Sequence, residues 1–259
     1  MITTDAVKGK RVVITGATAG IGKATAEIFA AAGSDLIITG RRSERLLALK
    51  EELESQYDIR VEVAAFDVRD LKACKNFSKK IDASTVDILI NNAGLALGKE
   101  AIYEADVSDW DTMIDTNVKG LLYLSRYFSE AFREKNSGHI INIGSVAGLE
   151  GYAGGVVYSA TKFAVRAITE ATKKDLHGTK VRVSLIAPGL LESEFSEVRF
   201  KGDKKKAKEV YKNTQPLKPE DIAEVILFTA SRPDHVNIFD MVVYATYQSG
   251  PVLIHRDDS

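Results

Sequence analysis

The sequence predicts a doubly wound α/β fold, in which about seven parallel strands form one sheet flanked by helices. Short β-branched runs alternate with amphipathic helical segments along the chain, a pattern typical of parallel sheets with helical crossovers. Glycines after the first run allow a tight turn from strand to helix. No repeat or Pro/Gly-rich linker divides the 259 residues, so we expect one domain over 1–259.

The first half of the chain contains four predicted strands, each separated from the next by a helical pattern. The strands cover residues 11–15, 36–39, 60–66 and 86–90. Helices are expected through residue 32, from Ser43 as N-cap to about residue 56, and near residues 70–81.

The second half begins with a long helical pattern over residues 108–136. Asn117 falls on or beside its apolar stripe, where a buried amide needs a polar partner or disturbs the helix. The remaining elements are a strand at 139–143, a helix at 156–176, a sixth strand at 181–186, a small lid at about 190–218, a helix at 219–231 and a last strand near 241–246.

The composition excludes several classes of function. A net charge of −1 disfavours a nucleic-acid or anionic-membrane partner. Residues 1–10 lack an apolar leader and no apolar run approaches 18 residues, so we expect a soluble, cytoplasmic protein. The single Cys74 agrees with a reducing compartment, and the four scattered histidines show no metal-ligand spacing. No metal is therefore expected.

The glycine loop of residues 15–22 has the context of a phosphate-binding turn in a Rossmann-type fold. Its glycines would let backbone N–H groups approach a pyrophosphate at the helix N-terminus. The spacing Gly-x-x-x-Gly-x-Gly differs from the common Gly-x-Gly-x-x-Gly fingerprint, and a purely structural turn is the alternative. The residues assigned to this site are Thr15, Gly16, Ala19, Gly20, Ile21 and Gly22.

Two arginines follow the second strand and indicate which nucleotide is bound. An NAD site needs an acidic residue here for the ribose 2′-hydroxyl, whereas Arg41 and Arg42 suit a 2′-phosphate. The sequence therefore favours NADP. Two solvated arginines at a helix start are the alternative interpretation.

The chemical centre is predicted between residues 145 and 162. Tyr158 and Lys162 are four residues apart, which places them on one face of a helix. An adjacent ammonium lowers the pKa of a phenol, which would make Tyr158 a usable acid or base. Ser145 follows a strand and could reach the same oxygen. Taken alone, the Tyr-Lys spacing is more often a solvated surface pair.

Six motifs occur in an order that resembles the short-chain dehydrogenase/reductase family over nearly the whole chain. They are Thr15-Gly-x-x-x-Gly-Ile-Gly22, Asn91-Asn-Ala-Gly94, Asn117, Ser145, Tyr158-x-x-x-Lys162 and Pro188-Gly189. The resemblance implies that Tyr158 exchanges the proton and that Lys162 both lowers its pKa and holds the nicotinamide ribose. It also implies that Ser145 binds the substrate oxygen and that Asn117 supports a proton path through Lys162.

The same resemblance implies further cofactor contacts. Asp67 and Val68 would flank the adenine. The ribose side would be lined by Asn91, Ala93 and Gly94, and the nicotinamide by Pro188, Gly189 and Ser193, where Ser replaces the Thr common in the family. A homotetramer is also implied, for which the tail of residues 247–256 would be a contact arm.

Four segments carry a narrower resemblance, to the NADP-dependent 3-hydroxy acid dehydrogenases that oxidise L-serine and L-allo-threonine (serine 3-dehydrogenases). They are residues 92–98, 109–117, 139–145 and 198–203. The implied function is an oxidoreductase that transfers a hydride between NADP(H) and a small 3-hydroxy acid, or reduces a 3-oxo acid or semialdehyde. A broad NADPH-dependent carbonyl or 3-ketoacyl reductase is the closest alternative, and a non-enzymatic NADP sensor is a third.

A substrate carboxylate requires a basic group near the catalytic residues. We predict Arg199 in the lid as this clamp, because its planar fork matches a carboxylate. An ion pair of Arg199 with Glu192, Glu194 or Glu197 would explain it equally well. Tyr152 is predicted to line the substrate pocket, with simple packing as the alternative.

Overall fold

The computed structural model describes residues 5–257 and shows one sheet of seven parallel strands. Their order is β3-β2-β1-β4-β5-β6-β7. The strands are β1 (Arg11–Ile14), β2 (Asp35–Gly40), β3 (Val61–Ala65), β4 (Ile88–Asn91), β5 (Gly138–Ile143), β6 (Val181–Pro188) and β7 (Asp240–Val243). This confirms the predicted fold class.

Nine α-helices accompany the sheet within residues 5–257. They are α1 (Gly20–Ala31), α2 (Ser43–Gln56), α3 (Leu71–Lys80), α4 (Val107–Ile114), α5 (Leu121–Glu134), α6 (Val156–Asp175), α7 (Phe195–Arg199), α8 (Lys204–Glu209) and α9 (Pro219–Ala230). None of the helices in this described part of the chain is long and apolar enough to cross a membrane. Residues 1–4 and 258–259 lie outside the described residues. They include both ends of the predicted domain and part of the segment 1–10, to which the prediction about a leader refers.

The sheet is buried on both faces, which explains why its strands read as continuous apolar runs. Val12 and Ile14 of β1 pack on the face that carries α1, α2 and α9. Val13 and Leu89 pack on the opposite face, with α3 and α5. Because β1 lies between β2 and β4, the direction of the strand order reverses between β1 and β4. A crevice forms at the carboxyl ends of the strands at such a point.

The predicted long helix over residues 108–136 is interrupted. α4 ends at Ile114, residues Asp115–Gly120 form a π-helical segment, and α5 follows from Leu121. Asn117 lies in this segment and is 2% exposed. Its side chain bonds outside its own helix, so both outcomes that the sequence left open, a polar partner and a disturbed helix, occur at this amide.

One smaller expectation differs from the structure. Ser43 is the first residue of α2 and not its N-cap; Arg42 occupies the N-cap position without a side-chain hydrogen bond to the helix. The tail after β7 folds back on its own chain through an antiparallel bridge between Gln248 and Ile254. Because backbone N–H of Leu190 donates to Gln248 Oε1 over 2.7 Å, the tail supports the start of the lid.

Candidate active site

A cavity of about 400 Å³ lies at the carboxyl ends of β1, β4, β5 and β6. It extends from the end of β2 to the lid, so one space joins the predicted nucleotide residues to the predicted catalytic ones. The predicted site residues that line it are Gly16, Ala19, Gly20, Ile21, Arg41, Arg42, Asp67, Val68, Ala93, Gly94, Ser145, Tyr152, Tyr158, Lys162, Pro188, Gly189, Ser193 and Arg199.

Four predicted site residues do not line this cavity: Thr15, Gly22, Asn91 and Asn117. Thr15 Oγ1 accepts hydrogen bonds of 2.9 Å from the backbone N–H groups of Asn92 and Ala93, which ties the end of β1 to the turn after β4. Asn91 Nδ2 donates to Asn142 Oδ1 over 2.9 Å and to the hydroxyl of Ser125 over 3.0 Å. These side chains hold the walls of the cavity.

Two glycines of the loop after β1 are required for different reasons. Gly20 has φ +53°, a backbone conformation that favours glycine. At Gly22 a Cβ atom would lie 2.3 Å from the carbonyl oxygen of Gly16, so only glycine lets the loop close against the first turn of α1. The loop therefore brings its backbone to the cavity at a helix N-terminus, where an anionic phosphate is stabilised.

Tyr158 and Lys162 lie on one face of α6, as their spacing predicts. Lys162 Nζ is 5.9 Å from the centre of the Tyr158 ring and donates a 2.9 Å hydrogen bond to the carbonyl oxygen of Ile143. Ser145 follows β5 and lines the same part of the cavity; its Oγ accepts a 3.1 Å hydrogen bond from backbone N–H of Ala147. The three side chains converge on one wall.

The pKa values differ from the simple expectation for a phenol beside an ammonium. Burial raises the pKa of Tyr158 to about 12, although a hydrogen bond with Ser145 and the charge of Arg199 act to lower it. Burial lowers the pKa of Lys162 to about 8. The net direction at Tyr158 is thus opposite to the expected lowering, because desolvation of the phenol outweighs the charges around it.

The buried Asn117 amide makes direct hydrogen bonds to the turn after β4 and to α6, and the proton path through Lys162 stays a prediction. Its Oδ1 accepts a 2.8 Å hydrogen bond from backbone N–H of Leu95, and its Nδ2 donates to the carbonyl of Leu95 over 2.8 Å and to Thr161 Oγ1 over 3.0 Å. Thr161 precedes Lys162 on α6. The amide therefore joins the π-helical segment to the turn after β4 and to the catalytic helix.

The two arginines after β2 are held differently. Arg41 is exposed, and its guanidinium lies 4.0 Å from the carboxylate of Asp67. Arg42 donates to Thr18 Oγ1 in the glycine loop over 2.8 Å and to Glu194 in the lid over 2.8 Å. Both guanidinium groups border the nucleotide end of the cavity. Cations at this end fit a 2′-phosphate, and the glycine loop fits a pyrophosphate, so the residues present match an NADP-type dinucleotide.

Arg199 projects from α7 into the catalytic end of the cavity. Its guanidinium carbon lies 5.9, 5.1 and 5.8 Å from the ring centres of Tyr152, Tyr158 and Phe195. Arg199 donates a 2.5 Å hydrogen bond to Tyr152 Oη, and among the described residues its buried Nε has no hydrogen-bond partner. Within residues 5–257 no carboxylate lies within 4 Å of Arg199, so the alternative ion pair with Glu192, Glu194 or Glu197 is absent there.

Sequence reasoning missed Phe195 and Gln248. Phe195 packs edge-on against the Tyr158 ring, with 5.7 Å between ring centres. Gln248 is 5% exposed and lines the cavity where the lid begins. An aromatic residue after the sixth strand and an amide in a tail carry no periodic or motif signal, so only the folded chain identifies them.

Comparisons with known proteins agree with this geometry. The NADP-dependent 3-hydroxy acid dehydrogenase YdfG of Salmonella typhi is 49% identical over 249 residues, which cover 95% of this chain and 99% of that protein. Sulfoacetaldehyde reductase 2 of Chromohalobacter salexigens is 45% identical over 241 residues, 92% of this chain and 95% of that protein. A solved structure described as the closed form of serine dehydrogenase complexed with NADP+ matches with a TM-score of 0.89 and 47% identity, covering 95% of this chain and all of the other.

The family model for short chain dehydrogenases matches residues 10–204. That range contains the glycine loop, the catalytic wall and the first part of the lid. Together with relatives at nearly half identity over almost the full chain, the match confirms the predicted family. The protein belongs to the short-chain dehydrogenase family.

Proposed function

We propose that the protein is an NADP-dependent oxidoreductase that interconverts a small 3-hydroxy acid and the corresponding 3-oxo acid or semialdehyde. L-Serine and L-allo-threonine are the leading candidates for the hydroxy acid. The enzyme class and NADP agree with the relatives, which are named NADP-dependent 3-hydroxy acid dehydrogenase and serine dehydrogenase complexed with NADP+. The proposal for the acid rests on one observation, the arginine at the catalytic end of the cavity.

Arg199 has the properties of a carboxylate-binding group. The side chain lines the cavity, its buried Nε has no hydrogen-bond partner within residues 5–257, and three aromatic rings surround its guanidinium. A half-buried cation without a counter-ion in the described part of the chain costs free energy that a bound anion would offset. The planar fork of arginine can hold a carboxylate through two hydrogen bonds. We therefore assign the substrate carboxylate to Arg199 and to the Tyr152 hydroxyl beside it.

The reaction is divided among the groups of one wall. NADP, when bound, supplies or accepts the hydride at the substrate carbon. Tyr158 Oη gives a proton to the carbonyl oxygen in reduction and takes it from the hydroxyl in oxidation. Ser145 Oγ holds that same oxygen by a hydrogen bond. The Lys162 ammonium, fixed to the carbonyl of Ile143, stabilises negative charge at the phenol.

The cofactor residues are proposed as a set. Gly16, Ala19, Gly20 and Ile21 would face the pyrophosphate, and Arg41 and Arg42 the 2′-phosphate. Asp67 and Val68 would flank the adenine. The remaining contacts would come from Ala93, Gly94, Pro188, Gly189 and Ser193. All of these border the same cavity. Four residues outside the cavity lining would hold these segments in place: Thr15, Gly22, Asn91 and Asn117.

A panel of alcohols tests the substrate class. Oxidation by NADP would be measured with L-serine, D-serine, L-allo-threonine, 3-hydroxyisobutyrate and a neutral secondary alcohol of similar size. We expect the hydroxy acids to give the higher kcat/KM, and Arg199→Ala to raise KM for L-serine by about tenfold or more, the value of one charge-assisted pair. A preference for the neutral alcohol would favour the broad carbonyl reductase instead.

A sulfonate is the second candidate for the anionic group. It is favoured by the 45% identity to sulfoacetaldehyde reductase 2 over nearly the whole chain. Arg199 could bind a sulfonate through the same donors. Adding 2-hydroxyethanesulfonate to the panel separates the two candidates. A higher kcat/KM for this sulfonate than for L-serine would mean that the natural substrate carries a sulfonate and not a carboxylate.

We also propose one domain over residues 1–259, a homotetramer and a cytoplasmic location. Exposed apolar side chains on the tail, Val252 at 56% and Leu253 at 68%, support a contact with another subunit. Light scattering of the purified protein tests the tetramer, and Leu253→Glu should lower the mass if the tail takes part. Limited proteolysis tests the single domain, and cell fractionation tests the cytoplasmic location.

A further inference from the structure

Two cations lie beside the catalytic phenol, and they come from different parts of the fold. Lys162 is on α6 with Tyr158, and its Nζ is 5.9 Å from the phenol ring centre. Arg199 is on α7 of the lid, and its guanidinium carbon is 5.1 Å from the same point. The lid therefore brings a positive charge to the Tyr158 ring at shorter range than the lysine of the catalytic motif.

The two charges also differ in permanence. Burial lowers the pKa of Lys162 to about 8, so its ammonium loses its proton in the mildly alkaline range. The Lys162 ammonium also donates a hydrogen bond to the carbonyl oxygen of Ile143. An arginine side chain stays charged throughout that range. The Lys162 ammonium is thus shared with a backbone carbonyl, whereas the Arg199 guanidinium lies closer to the ring centre of the phenol.

We propose that Arg199 is a positioning residue for proton transfer, whose charge favours the phenolate form of Tyr158 when the lid covers the cavity. This inference rests on the proposed oxidoreductase function and adds a second role to the carboxylate clamp. It also gives the lid a part in catalysis, because a lid that moves away removes the charge and lowers the fraction of Tyr158 in the phenolate form.

The surroundings of the phenol allow this effect to be large. Burial raises the pKa of Tyr158 to about 12, and the charge of Arg199 acts against that rise. In a partly buried site an opposite charge at this range shifts a pKa by about one unit or more.

The other groups that face the phenol come from five segments of the chain. The loop before α6 contributes the Tyr152 hydroxyl, whose own charge would act in the opposite sense. The strand β5 ends at Ser145, and α6 carries Lys162. Apolar side chains pack here from the turn after β4 and from α4, namely Leu95, Leu97, Trp110 and Met113. Arg199 is thus the charged group that the lid places beside the Tyr158 phenol.

A bound carboxylate should weaken this effect, since it pairs with the same guanidinium. An anionic substrate and a neutral one would then show different pH profiles in the same enzyme. With the neutral alcohol the Arg199 charge acts undiminished on Tyr158, and with the hydroxy acid it is partly neutralised. We expect the apparent pKa of kcat for oxidation to be lower for the neutral alcohol.

The experiment compares the pH dependence of kcat for oxidation of a neutral secondary alcohol by NADP in the wild type and in Arg199→Gln. The phenolate is the base, so the rate rises through its apparent pKa. We expect that pKa to rise by about one unit in Arg199→Gln and to return most of the way in Arg199→Lys. Arg199→Met carries the same expectation and serves if the glutamine variant does not fold.

Lys201→Gln is the matched control. Lys201 is another lid cation, but it pairs with Asp109 over 2.9 Å and is 56% exposed. Its replacement should leave the apparent pKa within about 0.2 units, since an exposed charge is screened. An equal shift in both variants would point to loosened lid packing and would overturn the inference.

A second readout does not depend on turnover. Tyr158 is replaced by a fluorinated tyrosine, whose phenol is more acidic, and fluorine NMR follows its ionisation in the protein with and without Arg199→Gln. A higher phenol pKa in the arginine variant supports the inference, and an unchanged one overturns it. Loss of the carboxylate clamp is a separate outcome: an unchanged KM for L-serine in Arg199→Gln would contradict the proposed clamp without affecting the phenol titration.

Discussion

The carboxylate of Glu194 in the lid accepts a 2.8 Å hydrogen bond from the guanidinium of Arg42 at the end of β2. Its other oxygen accepts one of 2.7 Å from Arg45 in α2. Arg42 is one of the two cations proposed for the 2′-phosphate. The lid is therefore tied to the nucleotide-selecting end of the cavity as well as to the catalytic end, where Arg199 meets Tyr158.

Replacing Glu194 should strengthen the binding of the phosphorylated cofactor. In Glu194→Gln a negative charge beside Arg42 is lost, so the Arg42 guanidinium is more available to bind the 2′-phosphate. We expect KM for NADPH to fall about two- to fivefold, the scale of one exposed ion pair, with KM for NADH unchanged. Glu209→Gln, which removes a lid carboxylate paired with Lys212 at 3.7 Å, is the control. A rise in KM for NADPH would mean that Glu194 orients Arg42 for the phosphate.

Removing the phenol hydroxyl should stop the reaction but not cofactor binding. Tyr158→Phe keeps the ring that packs on Phe195 and loses only the group that exchanges the proton. We expect kcat to fall by at least ~10²-fold, while the dissociation constant for NADPH, measured by fluorescence, changes only a few fold. Tyr103→Phe, at an 84% exposed tyrosine, should have no effect on either quantity. Near-normal turnover in Tyr158→Phe would remove Tyr158 from the mechanism.

The Asn117 amide should matter for stability as well as for activity. Asn117→Ala leaves the backbone N–H and carbonyl of Leu95 without their partner and removes a bond to Thr161. Unpaired buried groups and the lost side chain together should lower the free energy of unfolding by about 2–4 kcal/mol in urea titrations. Asn76→Ala, on the exposed side of α3, should change it by less than about 0.5 kcal/mol. Equal losses in the two variants would contradict the role assigned to Asn117.

The buried His139 should make the protein sensitive to acid. It is 1% exposed, its Nε2 lies 2.8 Å from Ser184 Oγ, and burial together with the charge of Arg182 holds its pKa well below the ordinary value. The unfolded chain therefore binds a proton near pH 6.5 that the folded chain does not bind. Stability is thus fully present above about pH 6.5 and falls as the pH drops below it.

Measuring the free energy of unfolding against pH tests this expectation. The loss due to His139 should approach about 1.4 kcal/mol per pH unit below about pH 6 in the wild type. His139→Gln should show a shallower slope, whatever its stability at neutral pH. His177→Gln, at an exposed histidine, should keep the slope of the wild type. The same slope in all three proteins would assign the acid sensitivity to other groups.

The local patterns of the chain were sufficient for much of the fold. The bounds of α2 and the positions of the first six strands follow from periodicity, because a helix repeats at 3.6 residues and a buried parallel strand is a short apolar run. The break at Asn117 was also visible, since an amide on an apolar stripe is a local conflict. Its partner was not: the amide of Leu95 is 22 residues away, and no spacing rule connects the two.

Motif spacing likewise determined the family, the glycine loop and the shared face of Tyr158 and Lys162, because each depends on backbone geometry over a few residues. Tertiary structure alone decided the contacts of the lid. Arg199 contacts Tyr152, which is 47 residues away in the sequence, and Glu194 contacts Arg42, which is 152 residues away. It also decided that burial outweighs charge at Tyr158, since desolvation depends on every segment that covers the phenol. Long-range contacts between side chains that follow no repeat become apparent only when the chain is folded.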